Sequence, residues 1–292
     1  MDGDCLDVTL TSVLATTVQR MDTRTHRIHQ VRFDVPIHSP AIGFAAAKLT
    51  GARYSVAAEA EPGSIVHVTP SDMRTALDIT SDSAARHCFQ QLLEAISGIH
   101  AVGVPPVGTL PARPPWIIRL TRYLEAEEQR DQDILAQATS NTLRQHLFAV
   151  LRRAGDGTKF VIHGAPSLAA TYYRDGDVCV LVGADLASAR PELDWGYLLG
   201  ELGELASTGG YPAARYAAAS MDVLLSTIRD RGLDVNYVNE VAIAKRFLHL
   251  VDYQNTCRMY EMPVPNVEKL QETLAELANL VEWAEHAPTQ NR

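Results

Sequence analysis

Between Phe160 and Leu205 the chain gathers residue types that serve proton transfer and metal binding: His163, Ser167, Asp185 and Asp194. A carboxylate near a strand end can hold a hard cation or orient a hydroxyl, and a loop hydroxyl can bind phosphate or peptide backbone. Each also has a plainer reading. Asp185 can cap the turn into Leu186, and His163 can be a buried histidine bonded to backbone. Ser167 can be an ordinary loop hydroxyl, and Asp194 an N-cap ahead of WGYLLGEL. Other chemistry drops out quickly. The sequence contains no GxSxG, GxxxxGK[ST] or HExxH. Its histidines, His26, His29 and His38 among them, follow no metal-site spacing. The acids Glu125, Glu127, Glu128, Asp131 and Asp133 read as a solvated helix face, with contact to a basic peptide as the alternative.

These residues need elements to position them. The 292 residues suffice for two lobes, and the composition, 46% apolar and 21% charged, is that of a globular protein. A net charge of −9 argues against a nucleic-acid partner, which needs a dominant basic surface. Four scattered cysteines without a CxxC pair read as reduced thiols. No run of apolar residues reaches membrane-spanning length, and the start of the chain lacks the pattern of a signal peptide. The expectation is a cytoplasmic protein.

Residues 6–20 have the near-helical spacing of a short helix. From Ile28 to about Val68, short apolar bursts separated by Pro36, Gly51 and Pro62-Gly63 predict a small, mostly antiparallel sheet. Ser81 or Asp82 then opens a helix reaching about Ile96, with Phe89, Leu92, Leu93 and Ile96 on one face. The Pro-rich stretch Gly103–Pro115 is the best candidate for a boundary, so 1–104 reads as a β-rich lobe and 105–292 as a helical one. After it come one or two helices over 125–152, a strand–loop–strand unit (KFVIHG, then VCVLVG), and helices from Trp195 onward. Gly209–Pro212 and Pro263–Pro265 interrupt those helices. The last helix, 266–285, carries Leu270, Leu274, Leu277 and Val281 as a core stripe, or alternatively as a face for a partner helix.

The stretch FVIHGAPSLAATYYRDGDVCVLVGADLASARPELDWGYLLGEL resembles the active-site segment of the aminoglycoside phosphotransferase and choline kinase family. That pattern is an apolar strand, HGDxxxxN, a hairpin, an Asp at a strand end, then P-x-x-D opening a helix. Here Val161–Gly164, the turn Gly176-Asp177, the strand Val178–Val182 and Pro191–Asp194 match it. The resemblance implies an α+β, bilobal protein-kinase-like fold with a small β-rich N-lobe and a larger helical C-lobe. It also implies phosphate transfer from ATP with Mg2+.

The departures fall on the chemistry. The proton-accepting Asp is Ala165, the metal-ligand Asn is Ala170, and the metal-binding Asp aligns with Gly183, or with Val182 if no gap is allowed. Phosphoryl transfer rests on positioning and charge neutralisation, so these losses strike its centre. By the resemblance, the residues left to act are Asp185 (catalytic acid and metal ligand), His163 and Ser167 in the loop, and His67 and Lys48 where a phosphate-binding lysine is expected. Arg86 and His87 stand near the position of its paired Glu. HGAPSL and the helix DWGYLLGE also resemble kinase-like proteins of lanthipeptide and thioamitide biosynthesis. That likeness implies Ser/Thr phosphorylation of a precursor peptide, with a separate lyase as partner. The alternative is a pseudokinase that binds a leader peptide or a partner enzyme without turnover.

Overall fold

Val and Thr dominate the segment from Asp7 to Arg20, and β-branched residues favour extended backbone. In the computed structural model this segment forms two paired strands, β1 (Cys5–Leu10) and β2 (Leu14–Arg20), not the helix that its spacing predicts. The structure describes residues 5–10, 14–20, 25–32, 37–61, 64–70, 72–126, 134–208, 213–259, 261 and 267–286. β3 (Thr25–Arg32) follows, then α1 (Ser39–Lys48), β4 (Tyr54–Val56), β5 (Ala58–Glu61) and β6 (Ser64–Pro70). The helix α1 corrects a second expectation, for the segment GFAAAK reads as strand. Pro40 in its first turn and the run Ala45–Ala47 favour helix.

Five of these strands form an antiparallel sheet in the order β1-β2-β3-β6-β5. A second sheet has the order β4-β10-β9-β7. It joins β4 and β7 (Arg74–Thr75) to the hairpin β9 (Thr171–Arg174) and β10 (Asp177–Val182). The chain is therefore α+β, with a small strand-rich N-terminal part and a larger helical part.

The helix predicted after Ser81 is α2 (Asp82–His100). Its stripe Phe89, Leu92, Leu93, Ile96 and Ile99 is buried, each side chain contributing roughly 2 kcal/mol of transfer free energy. This stripe packs against β8 (Phe160–Ile162), β10 and α7 (Ala213–Asp230), so α2 belongs with the helical part. The Pro-rich stretch links α2 to α3 (Pro115–Glu125).

α4 (Ile134–Ala138), α5 (Asn141–Arg153), β11 (Ala187–Ala189), α6 (Glu192–Thr208), α8 (Val235–Met259) and α9 (Val267–His286) complete the chain. Leu270, Leu274, Leu277 and Val281 of α9 are buried in a core shared with α3, α5 and α8. The stripe is therefore a core face. No described helix is long and apolar enough to cross a membrane. Cys88, Cys179 and Cys257 are buried and unpaired, and burial pushes the Cys88 thiol up to about 12 and Cys179 to about 11. Glu127, Glu128, Asp131 and Asp133, and the breaks at Gly209–Pro212 and Pro263–Pro265, lie outside the described residues.

Candidate functional site

β8 delivers the chain to His163 and Gly164, and α6 holds the loop that follows. Asp194 lies inside the first turn of α6 rather than at its N-cap, and it is fully buried. Its carboxylate accepts hydrogen bonds from the backbone N–H of His163 (2.8 Å) and of Gly164 (2.9 Å), and His100 Nε2 lies 2.8 Å away. Two helical turns further on, Glu201 presents its carboxylate from the same face. It accepts from Ser167 Oγ at 2.9 Å and from the N–H of Leu168 at 3.0 Å. Burial raises the Glu201 pKa, opposed by Lys245 nearby.

The loop 163–168 is thus tied to one helix by two acids. Sequence reasoning missed Glu201; its seven-residue spacing from Asp194 is the signal that marks it. Missed as well was His100, whose partner lies 94 residues away and leaves no local trace.

His163 is turned to the backbone on both ring nitrogens. Nε2 lies 2.9 Å from the carbonyl oxygen of Leu181 and therefore donates, and Nδ1 accepts from the N–H of Ala165 at 3.4 Å. Ser167 is half-buried, its hydroxyl donating to Glu201 and accepting from the N–H of Ala169. Asp185 occupies the turn Gly183–Leu186 after β10, closed by Leu186 N–H to Gly183 O at 3.3 Å. The backbone of that turn lies directly on Gly164, where φ is +90° and a Cβ would overlap the carbonyl oxygen of Asp185. The Asp185 carboxylate is half-buried; it opposes the fall that burial imposes on the His67 pKa and adds to the rise that burial imposes on Tyr197.

His67 lies on β6, within the strand-forming text read up to Val68, and Nδ1 donates to the carbonyl of Ser55 at 2.8 Å. Burial pushes its pKa down to about 4, outweighing the Ser55 hydrogen bond; His163 lowers it further and Asp185 raises it. His67 is neutral near pH 7 and supplies no charge for a phosphate. The structure brings His67, His163 and Asp185 together, and leaves Lys48 exposed in the last turn of α1. Arg86 and His87 are exposed on α2, the α-helix that follows β6.

These residues do not fit a magnesium–nucleotide pair. In kinases the phosphates lie between a lysine on the third strand and metal ligands at the catalytic loop and strand end. Here Ala165 packs against the core beneath the loop, and Ala170 against an apolar cluster above it. Gly183, with φ +141°, leaves a Cβ only 2.9 Å from that of Ala57. Ala57 is held there by its N–H to Val182 O, 2.8 Å, so a carboxylate side chain has no room. Ile28 of β3 is fully buried against Met73, Tyr172, Cys179 and Leu181, filling the gap between the two sheets with apolar side chains. Among the described residues no three of His, Cys, Asp or Glu form a metal-ligand group.

No protein-family model and no curated relative matches the sequence. Solved structures do match along nearly the whole chain. Aminoglycoside phosphotransferase APH(4)-Ia, in a ternary complex with AMP-PNP and hygromycin B, is 10% identical, covers 99% of this chain and 96% of its own, and gives a TM-score of 0.57. Choline kinase LicA from Streptococcus pneumoniae is 11% identical, with 94% of both chains covered and a TM-score of 0.59. Amicoumacin kinase hAmiN, solved with AMP-PNP, Ca2+ and Ami, is 11% identical, covers 97% and 88%, and also gives 0.59. The chain has the fold of the aminoglycoside phosphotransferase and choline kinase-like kinases.

Proposed function

We propose that this chain is a kinase-fold binding protein: it holds a precursor peptide, or a partner enzyme such as a lyase, and does not move phosphate with magnesium and ATP. The observation that carries this reading is the junction of Ile28 with Met73, Tyr172, Cys179 and Leu181, which joins the two sheets through buried side chains that offer no charge to a phosphate. Asp194 and Glu201 of α6 support it, because both are committed to the loop 163–168. The peptide and the lyase follow from the likeness of HGAPSL and DWGYLLGE to natural-product proteins.

A second reading is transfer of phosphate from ATP and Mg2+ to Ser or Thr of the precursor peptide. Asp185 favours it, as a half-buried carboxylate one turn past the strand end. Calorimetric titration of ATP with and without magnesium separates the two, together with mass spectrometry of a Ser/Thr-containing precursor peptide. The binding reading expects no magnesium-dependent affinity and no added phosphate. Tight magnesium-dependent binding would overturn it. Phosphorylation that falls about 10²–10⁴-fold in Asp185→Ala would then place that carboxylate in the reaction.

A further inference from the structure

The four-stranded sheet leaves one strand edge facing a cavity that no residue of the loop 163–168 lines. β4 is the edge strand of that sheet, paired in parallel with β10 in the register Val180↔Tyr54 to Val182↔Val56. Val180 N–H donates to Arg53 O at 2.9 Å and Ala57 N–H to Val182 O at 2.8 Å, so residues 53, 55 and 57 bond to β10. Alternate residues of a strand direct their backbone groups to opposite sides, and the N–H and C=O of Val56 therefore point away from β10.

Tyr54, Ser55 and Val56 form one wall of an open cavity of about 480 Å³. Its volume falls in the ~300–1,000 Å³ range of ligand sites. The opposite wall is apolar: Val66 and Val68 of β6, of which Val68 is 54% exposed. Arg27 of β3, the register partner of Val68, adds one positive charge to the lining. β5 pairs with β6 only up to Val66, and beyond it the side chain of Ser55 caps the backbone of Val68, donating to its O at 2.9 Å and accepting from its N–H at 3.1 Å.

We propose that this groove docks an extended peptide segment. The peptide adds its backbone to the outward N–H and C=O of Val56. It seats a branched apolar side chain on Val66 and Val68, and sets a carboxylate beside Arg27. Strand addition of this kind draws affinity from the main chain and specificity from alternate side chains. A small apolar ligand would use the valines but not the directional backbone groups, and the positive charge selects an acidic segment.

The inference rests on reading the chain as a peptide binder, yet the two fail separately. Magnesium-dependent ATP binding would overturn that reading and leave the groove standing. The test is an array of heptapeptides with Val, Ile or Thr at alternate positions and Glu, Ala or Lys at the centre, probed with the full chain. Binding is expected to rank Glu above Ala above Lys, with Arg27→Glu reversing the order. Val56→Pro deletes the outward N–H and keeps the bonds to β10, because proline is tolerated where an edge N–H faces outward. It should weaken binding at least tenfold, as should the exposed-site variant Val68→Asp, with the unfolding temperature of each confirming the fold. N-methylation of the central amide of the best peptide should weaken it similarly. Absence of binding to every array peptide, or binding that survives both Val56→Pro and Val68→Asp, overturns the proposal.

Discussion

At the scale of single residues, burial determines what the titratable groups near the loop 163–168 can do. His67 has a folded pKa of about 4 against 6.5 unfolded. Between those values the unfolded chain binds the proton and the folded chain does not, so stability rises with pH. The contribution is complete above about pH 6.5 and lost as pH falls to 4. A shift of this size corresponds to about 3 kcal/mol. Chemical denaturation at pH 7 and pH 4.5 should show the loss in wild type and a smaller loss in His67→Gln. Gly164 is constrained by geometry rather than charge, since a Cβ at φ +90° overlaps the Asp185 carbonyl. Gly164→Ala should destabilise by about 2–4 kcal/mol in urea unfolding, because the turn after β10 must shift.

At the scale of elements, α6 organises the site. Its Asp194 and Glu201, two turns apart, hold a loop in which Ala165 and Ala170 stand at the positions that the resemblance makes reactive. Asp194→Ala strands two buried N–H groups and His100, each unsatisfied group costing about 1–3 kcal/mol. A loss of about 3–5 kcal/mol, or failure to fold, is the expected urea-unfolding result. Glu201→Gln keeps one acceptor oxygen and removes a charge that burial opposes. Its unfolding free energy should therefore stay within about 1 kcal/mol of wild type. Equal effects at both positions would show that His100, the partner Asp194 has beyond its two loop N–H groups, adds nothing to its hold.

At the scale of the whole molecule, the two sheets meet through Ile28 and the cluster of Met73, Tyr172, Cys179 and Leu181. An isoleucine lining an open cleft would lose little on truncation. One at the centre of a packed junction loses transfer energy and leaves a cavity. Ile28→Ala should then cost about 2–5 kcal/mol in denaturant unfolding, with one transition for both sheets. A cost below about 1 kcal/mol would mean that the junction opens in solution, and would favour the nucleotide-binding reading.

Local patterns made part of this protein legible from sequence. The strand ending at His163-Gly164, the hairpin turn at Gly176-Asp177, the helix after Ser81 and the stripe of α9 follow from apolar periodicity and turn chemistry, which act over a few residues. The same text suggested the kinase-like order of parts and showed that the reactive positions hold Ala165, Ala170 and Gly183. What it could not convey depends on pairing across long separations. Residues 6–20 have helical spacing, but 6–10 and 14–20 pair as strands, and GFAAAK reads as strand but lies on a helix. The segment Tyr54–Val56 takes its place beside β10, more than 120 residues later in the chain. The burial that neutralises His67 and the contact that seats Ile28 over Leu181 arise only when the two sheets meet. Periodicity states which face of an element is apolar; only the tertiary structure decides what that face covers.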